Sequence, residues 1–389
     1  MNGGALSDLE KFSKEVFSSA GGRASELLET AGKALYSAAG SRQYTTFHDC
    51  VYGIDHTRNT IYMPEAENHG YSFFTRPKLN LTTPSLRSDR ILSLLDTLDP
   101  QSIAFAIRSQ LDTKLSTIYP TATSTSPFFD RFNPFIPILS NRLLTLNGWP
   151  DWVLDVETTE GGFFSESITY PKGHDQLTRN YDLQASFADV QGSVVLILFT
   201  MWFQWLHLVT KGLVTPYMED IEDRRMCFTS SIYRFVMDPS KRHILKWAKA
   251  TGCYPRSVPL GAFFNFDSNA GHVESSMNLS IPFTVAGRIE YYDPIILREF
   301  NMLVEGRCSS IKSWPTATQE QKLLLNHRCI PYIDVESGSN ELLWKYNPAN
   351  EELNNLLGIS STPVDTSSTS HVNDSIRAAI LNPSGEFWS

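Results

Sequence analysis

The chain has 389 residues, of which 41% are hydrophobic, 12% aromatic and 19% charged. That is enough apolar material for two or three packed domains, and the composition excludes a disordered chain. The formal net charge is −9 at pH 7, and without a basic stripe this balance excludes a protein that grips nucleic acid through its phosphates.

The first elements in chain order are helical. Ser7-Asp8-Leu9-Glu10 forms a capping-box pattern, in which Ser7 and Glu10 each satisfy an orphan amide of the first turn. Leu6, Leu9, Phe12 and Val16 follow at helical spacing. Gly21-Gly22 breaks this helix, and a second runs from Ala24 to Ala39, ended by Gly40. An arm so poor in large apolar residues is marginal alone. Its apolar stripe packs either on its own domain or on a neighbouring subunit, and Leu6, Leu9, Phe12 and Val16 are the candidate partner-binding residues.

Residues 41–90 are mixed and turn-rich. Thr75 to Leu81 reads as extended around Pro77, because the residue before proline avoids the helical region. Leu86–Leu98 and Ile103–Leu115 have helical spacing. Residues 120–128 read as a small polar linker. Phe128 to Trp152, dense in Phe, Pro and Trp, predicts an irregular packed layer or an interface.

From about residue 155 the pattern turns to β. Ile168-Thr169-Tyr170 and Asp182–Phe187 alternate polar with apolar. Val194–Val209 is the longest apolar run, yet it contains Gln204 and His207 and is shorter than the ~20 residues of a spanning helix. It predicts a buried helix, with Trp202 and Trp205 three apart on one face. Ser230–Met237, the turn Asp238-Pro239-Ser240-Lys241-Arg242 and His243–Thr251 form a hairpin. Cys253-Tyr254-Pro255 and Ser257-Val258-Pro259 make another extended piece. Met277–Ala286 reads as a strand in which Pro282 calls for an edge or a bulge. Residues 306–389 are less regular. Short helices are expected at Gln319–Leu325 and Glu351–Leu357, Ser360–Ser370 is expected to be flexible, and Phe387-Trp388 would dock or fray.

No chemistry stands out. There is no P-loop, HExxH, GxGxxG after a strand, or GxSxG elbow. His48, Asp49, Cys50, Asp55 and His56 lie close together, but their spacing fits no standard metal site. Glu219, Asp220, Glu222 and Asp223 beside Arg224 and Arg225 read as a solvated face with local ion pairs. The five cysteines (Cys50, Cys227, Cys253, Cys308 and Cys329) form no CxxC pair and read as free thiols of a reducing compartment. The N-terminus carries no apolar core of a secretory signal. No catalytic residue, metal or cofactor is expected.

Four stretches carry a resemblance. Ile168-Thr169-Tyr170-Pro171-Lys172, with Asp175 to Tyr181 behind it, looks like an early strand and loop. Asp182–Gly192 leads into the apolar segment. Ile244–Pro255 (ILKWAKATGCYP) looks like a kinked strand. Phe264-Asn265-Phe266-Asp267 and Leu279–Tyr291 look like a closing strand pair. In this order they resemble the tube-type proteins of contractile phage tails, above all the tube-initiating baseplate proteins. The resemblance covers about a third of the chain. Residues 41–150 and the C-terminal tail depart from a plain tube subunit and favour a specialised ring at the tube's end.

The resemblance implies an α+β fold. A β-rich tail-tube-like core of antiparallel sheets and one buried helix spans 156–305. It is joined by an N-terminal helical arm (1–40), an inserted mixed accessory domain (41–155) and an irregular extension (306–389). It further implies a structural virion protein of the tail or baseplate, made in the host cytoplasm. Such a protein forms a hexameric ring with copies of itself, meets tube, sheath and baseplate proteins, lets DNA pass without specific binding, and touches no membrane. Rings of this kind close by heterologous contacts. Three other readings stand beside it: a wedge or neck adaptor without a lumen, a membrane-associated phage protein resting on residues 194–209, and an enzyme using Asp49, His56 and Asp238.

Overall fold

A computed structural model describes residues 69–126, 129–174, 181–189, 192–223, 226–264, 278–317, 329–335 and 340–346. The principal element is a seven-stranded antiparallel sheet. Its strands are β1 (His69–Phe74), β2 (Leu143–Asn147), β5 (Tyr181–Ala188), β6 (Ser230–Met237), β7 (Ile244–Pro255), β8 (Asn278–Val285) and β9 (Ile289–Tyr291). They run in the order β1-β6-β7-β8-β5-β2, with β9 beside β7. A separate ribbon pairs β3 (Leu154–Thr158) with β4 (Thr169–His174), and a third sheet pairs β10 (Cys329–Asp334) with β11 (Glu341–Tyr346). The labelled helices are α1 (Thr83–Arg87), α2 (Ile103–Leu111), α3 (Pro120–Thr125), α4 (Pro137–Arg142), α5 (Val194–Thr210), α6 (Met218–Glu222) and α7 (Pro294–Glu305). The fold is the α+β arrangement of antiparallel sheets and a buried helix that the sequence implies.

Alternation decides the two faces of the sheet. Leu183, Ala185 and Phe187 on β5 are buried, as are Leu279, Ile281, Phe283 and Val285 on β8. The intervening Asp182 and Gln184 face solvent, and Ser186, Ser280 and Thr284 are half-buried. The apolar face is covered by α5, whose Leu198, Phe199, Trp202 and Trp205 are at most 1% exposed. Phe199 and Trp202 stack 6.2 Å apart and reach Phe283. Each tryptophan finds a carbonyl for its ring N–H: Trp202 donates to Phe228 O at 3.1 Å and Trp205 to Asn80 O at 3.2 Å. The apolar run is therefore core, not a membrane segment, and no described helix is long and apolar enough to cross a membrane.

A second layer packs on β1 and β6. Phe73, Phe135, Tyr233 and Phe235 surround Phe300 of α7, with ring centroids 4.7–5.4 Å from it. The sequence pattern left α7 unassigned. Its start is nevertheless written in the chain: Asp293 accepts from Ile295 N at 2.9 Å and Pro294 sits in the first turn. Asn301 of α7 then exchanges two hydrogen bonds with the backbone of Ile333 on β10.

Several local expectations change. Residues 120–128 are not simply a linker, because Pro120–Thr125 is helical, with Pro120 in its first turn and Thr123 Oγ1 bonded back to Tyr119 O. The Leu86–Leu98 stretch divides into α1 and a 3-10 turn at Leu92–Leu95. Within Phe128–Trp152, α4 and β2 are regular. The Asp238 turn forms as expected, with Asp238 Oδ1 accepting from Arg242 N and His243 N and Lys241 in the left-handed region. Pro282 lies between β7 and β5 in strand order, yet β7 pairs with β8 only at Phe283–Val285. The missing N–H of Pro282 thus meets the open end of that pairing.

The chain divides into two contact units. The larger is Met1–Lys312 with Ile330–Trp344, and it holds everything above apart from the ends of β10 and β11. The smaller is Ser313–Cys329 with Lys345–Ser389. Within it, Tyr346 N donates to Pro315 O at 2.9 Å and Lys345 Nζ to Trp314 O at 3.2 Å. The expected helices at Gln319–Leu325 and Glu351–Leu357, the Ser360–Ser370 segment, Phe387-Trp388 and the N-terminal arm lie outside the described residues.

Candidate functional site

The β3–β4 ribbon exposes large apolar side chains that a chain folding alone would cover. Phe163 is 94% exposed and Phe164 84%. Trp152, Val153, Leu154, Val156, Ile168 and Tyr170 are also exposed. The ribbon pairs Val156 with Pro171 and Glu157 with Tyr170, and its two faces both meet solvent. Its tip is a built turn. Gly162 N donates to Glu166 O and Ser165 N to Gly162 O, while Glu166 Oε2 accepts from Phe164 N at 2.7 Å. A Cβ on Gly162 would fall 2.0 Å from Glu166 Oε1, so a larger residue here would push the Glu166 carboxylate off the Phe164 amide. The root is fixed to the body where Tyr291 O–H donates to Pro150 O at 2.6 Å and packs against Trp149 and Trp152. An isolated two-stranded ribbon is marginal in water, and this one has two wet faces and an aromatic tip, which makes it the candidate surface for a partner.

A groove of about 680 Å³ opens at the C-terminal end of α5. Phe203, Leu206 and Phe228 give it apolar walls, and His207, Tyr254 and Arg256 border it. Asp182 in the wall is already engaged, 2.8 Å from Arg256 Nη1 and accepting from Thr284 Oγ1 at 2.8 Å.

Between α5 and β6 the chain crosses the body as a strap that turns Val214 and Asp220 inward. Lys78 Nζ lies 2.5 Å from Asp220 Oδ1, and Lys114 pairs with Glu219. The acidic run is the solvated face with local ion pairs that the sequence predicts, with Glu219, Glu222 and Asp223 exposed, except that Asp220 is only 4% exposed and its pair with Lys78 latches the strap. Leu213, Met218, Ile221 and Met226 are exposed on its outer side. Beneath it, fully buried Asp112 accepts from Tyr217 O–H at 2.8 Å and from the amides of Lys114 and Leu81. Burial pushes the Asp112 carboxyl up to about 6 against these hydrogen bonds and the nearby Arg108 charge. Burial, reinforced by Asp112, likewise raises the Tyr217 hydroxyl well above its ordinary range.

The sequence-predicted partner residues Leu6, Leu9, Phe12 and Val16 lie outside the described residues, as do Asp49 and His56. Asp238 is occupied by its own turn. Cys227, Cys253, Cys308 and Cys329 form no disulfide, and burial pushes the Cys253 thiol up to about 12. The sequence reading recognised β-character at Ile168–Tyr170 but not the ribbon's tip. The available signal was Gly161-Gly162 followed by Phe163-Phe164, between two alternating apolar segments.

Residues 28–350 match a family described as "Putative phage tail tube protein". The chain belongs to this tail tube family. No curated protein matches it. Among solved structures, similarity is found to the cryo-EM structure of the cap that terminates the anti-feeding prophage tube, at 11% identity over 41% of this chain and 81% of that one, with a TM-score of 0.25. The sheath–tube complex of the extracellular contractile injection system PVC, in the extended state, matches at 12% identity over 41% and 82%, with a TM-score of 0.25. The sheath/tube terminator of that system matches at 11% over 41% and 87%, with a TM-score of 0.24. Scores this low add nothing to the family assignment. The tail tube family is one of structural proteins, and the exposed ribbon is the feature of this member that a structural role has to explain.

Proposed function

We propose that this chain is a non-enzymatic structural subunit of a contractile phage tail. Copies assemble into a ring, a hexamer in this reading, at the junction of tail tube and baseplate. The ring initiates the tube, meets sheath and baseplate proteins, and leaves a channel for DNA. The observation that carries the reading is the β3–β4 ribbon, whose apolar side chains stand exposed among the described residues. Placed against a second copy, they would leave water and the ribbon's free edges would be shielded. The wet face of β5 and β8, with Gln184, Ser186 and Ser280, is chemically suited to a water-filled lumen. An overall negative charge keeps DNA from sticking there. In the same reading, Leu6, Leu9, Phe12 and Val16 dock the N-terminal arm on a neighbouring tail component.

Sedimentation velocity of the purified full-length chain, followed by negative-stain images, tests this. Rings with an open centre are the expected result, and Phe163→Asp with Phe164→Asp should return the protein to monomers. Trimeric or elongated particles without a lumen would instead support the wedge or adaptor alternative.

A further inference from the structure

We propose that the tip of the ribbon is received by the groove at the C-terminal end of α5 on a second copy of this chain. The inference rests on the self-assembly reading and adds the receiving surface to it. The ribbon presents an apolar point and negative charge. Phe163 and Phe164 stand edge to face, 5.2 Å apart, with almost nothing around them. Residues 151–174 contain five acidic residues (Asp151, Asp155, Glu157, Glu160 and Glu166) against one lysine, Lys172. The counterpart must therefore combine apolar depth with positive charge.

The groove has both. Phe203, Leu206 and Phe228 give a depression of about 680 Å³, a size that encloses a compact apolar group. His207 and Arg256 border it, and Lys211 caps α5 next to it. The dipole of a 17-residue helix is negative at that end, and Lys211 at the C-cap lies where it offsets that pole. The one carboxylate in the wall, Asp182, is paired with Arg256 and accepts from Thr284, so its charge is already balanced. Another outward apolar set, Ile295, Met302 and Leu303 on α7, lies on a helix surface that also carries Glu299 and Arg298. No residue of the ribbon lines the groove of its own chain. A tip of one copy in the groove of the next is a head-to-tail contact, the kind that closes into rings.

The test places a photo-crosslinking p-benzoylphenylalanine at Phe164 in the full-length chain and maps the adducts formed in assembled particles. Adducts between copies, on the peptide of Phe203–Lys211 or that of Met226–Phe228, are expected. Adducts concentrated elsewhere in intact rings overturn the groove. As a second arm, Thr210→Trp fills the groove from an exposed position. It should weaken self-association at least tenfold without moving the thermal midpoint. Rings that form normally with Thr210→Trp overturn the groove while leaving the ribbon reading standing. A wild-type chain that sediments only as a monomer overturns both.

Discussion

Trp202 and Trp205 show what one residue does in this fold. Both are fully buried, and both spend their single N–H on a backbone carbonyl of another segment. Trp202→Ala should cost about 4 kcal/mol, read from urea denaturation, because it leaves a cavity and an unpaired carbonyl. The role of this pair was legible in sequence, since two tryptophans three apart inside an apolar run have few other uses. Asp112 was not legible, because a carboxylate at a helix end carries no mark of burial. Its folded pKa, near 6, lies above the ordinary 3.8, so folding favours the protonated form. That contribution is complete below the ordinary value and is lost as pH rises through 6. The stability difference between wild type and Asp112→Asn should therefore shift in favour of wild type by about 1 kcal/mol between pH 7.5 and pH 5. Urea midpoints of both proteins at the two pH values check this, and an unchanged difference would show that Asp112 does not titrate there.

At the scale of elements, the sheet turns on a bulge. β8 and β9 both run along β7, and between them Gly287 passes so close that a Cβ would lie 2.5 Å from Thr251 O. Opposite it, Gly252 has φ of +69°, and a Cβ there would lie 3.0 Å from Gly287 N. Gly252→Ala should cost about 1–2 kcal/mol from the left-handed backbone alone, measured as a fall in denaturation midpoint. The strands β5 to β8 and helix α5 were legible because each carries its own period: two along the half-wet strands, an unbroken apolar run along the buried helix. Several elements were hidden, β1, β10 and β11 among them, and three others show why. The helix at Pro120–Thr125 is written in Ser and Thr, residues that equally make loops. Short β2 has only a weak alternation. The helix at Pro294–Glu305 had an Asp-Pro start, but its buried Ile296, Leu297, Phe300 and Val304 are interleaved with the exposed apolar Ile295, Met302 and Leu303, which blurs the helical stripe. The ribbon was half legible: its strands alternate, but nothing in alternation says that no other part of the chain will cover them.

For the whole molecule, family membership gives a tail structural protein, and the proposal above makes the ribbon the place where copies meet. The core is self-sufficient, with aromatic layers on both sides of β6 and a helix sealing β5 and β8. The ribbon is outside that economy of burial, so its aspartate variants, Phe163→Asp with Phe164→Asp, should leave unfolding free energy within about 0.5 kcal/mol of wild type while abolishing assembly. Loss of both together, in denaturation and sedimentation runs on the same sample, would mean that the ribbon is part of the core after all. The most direct measurement is a cryo-EM reconstruction of particles formed by the purified full-length chain. The account expects closed rings around an open centre, with density from another copy over Phe163 and Phe164. Rings whose ribbons project bare into solvent, or particles containing one copy only, would contradict it.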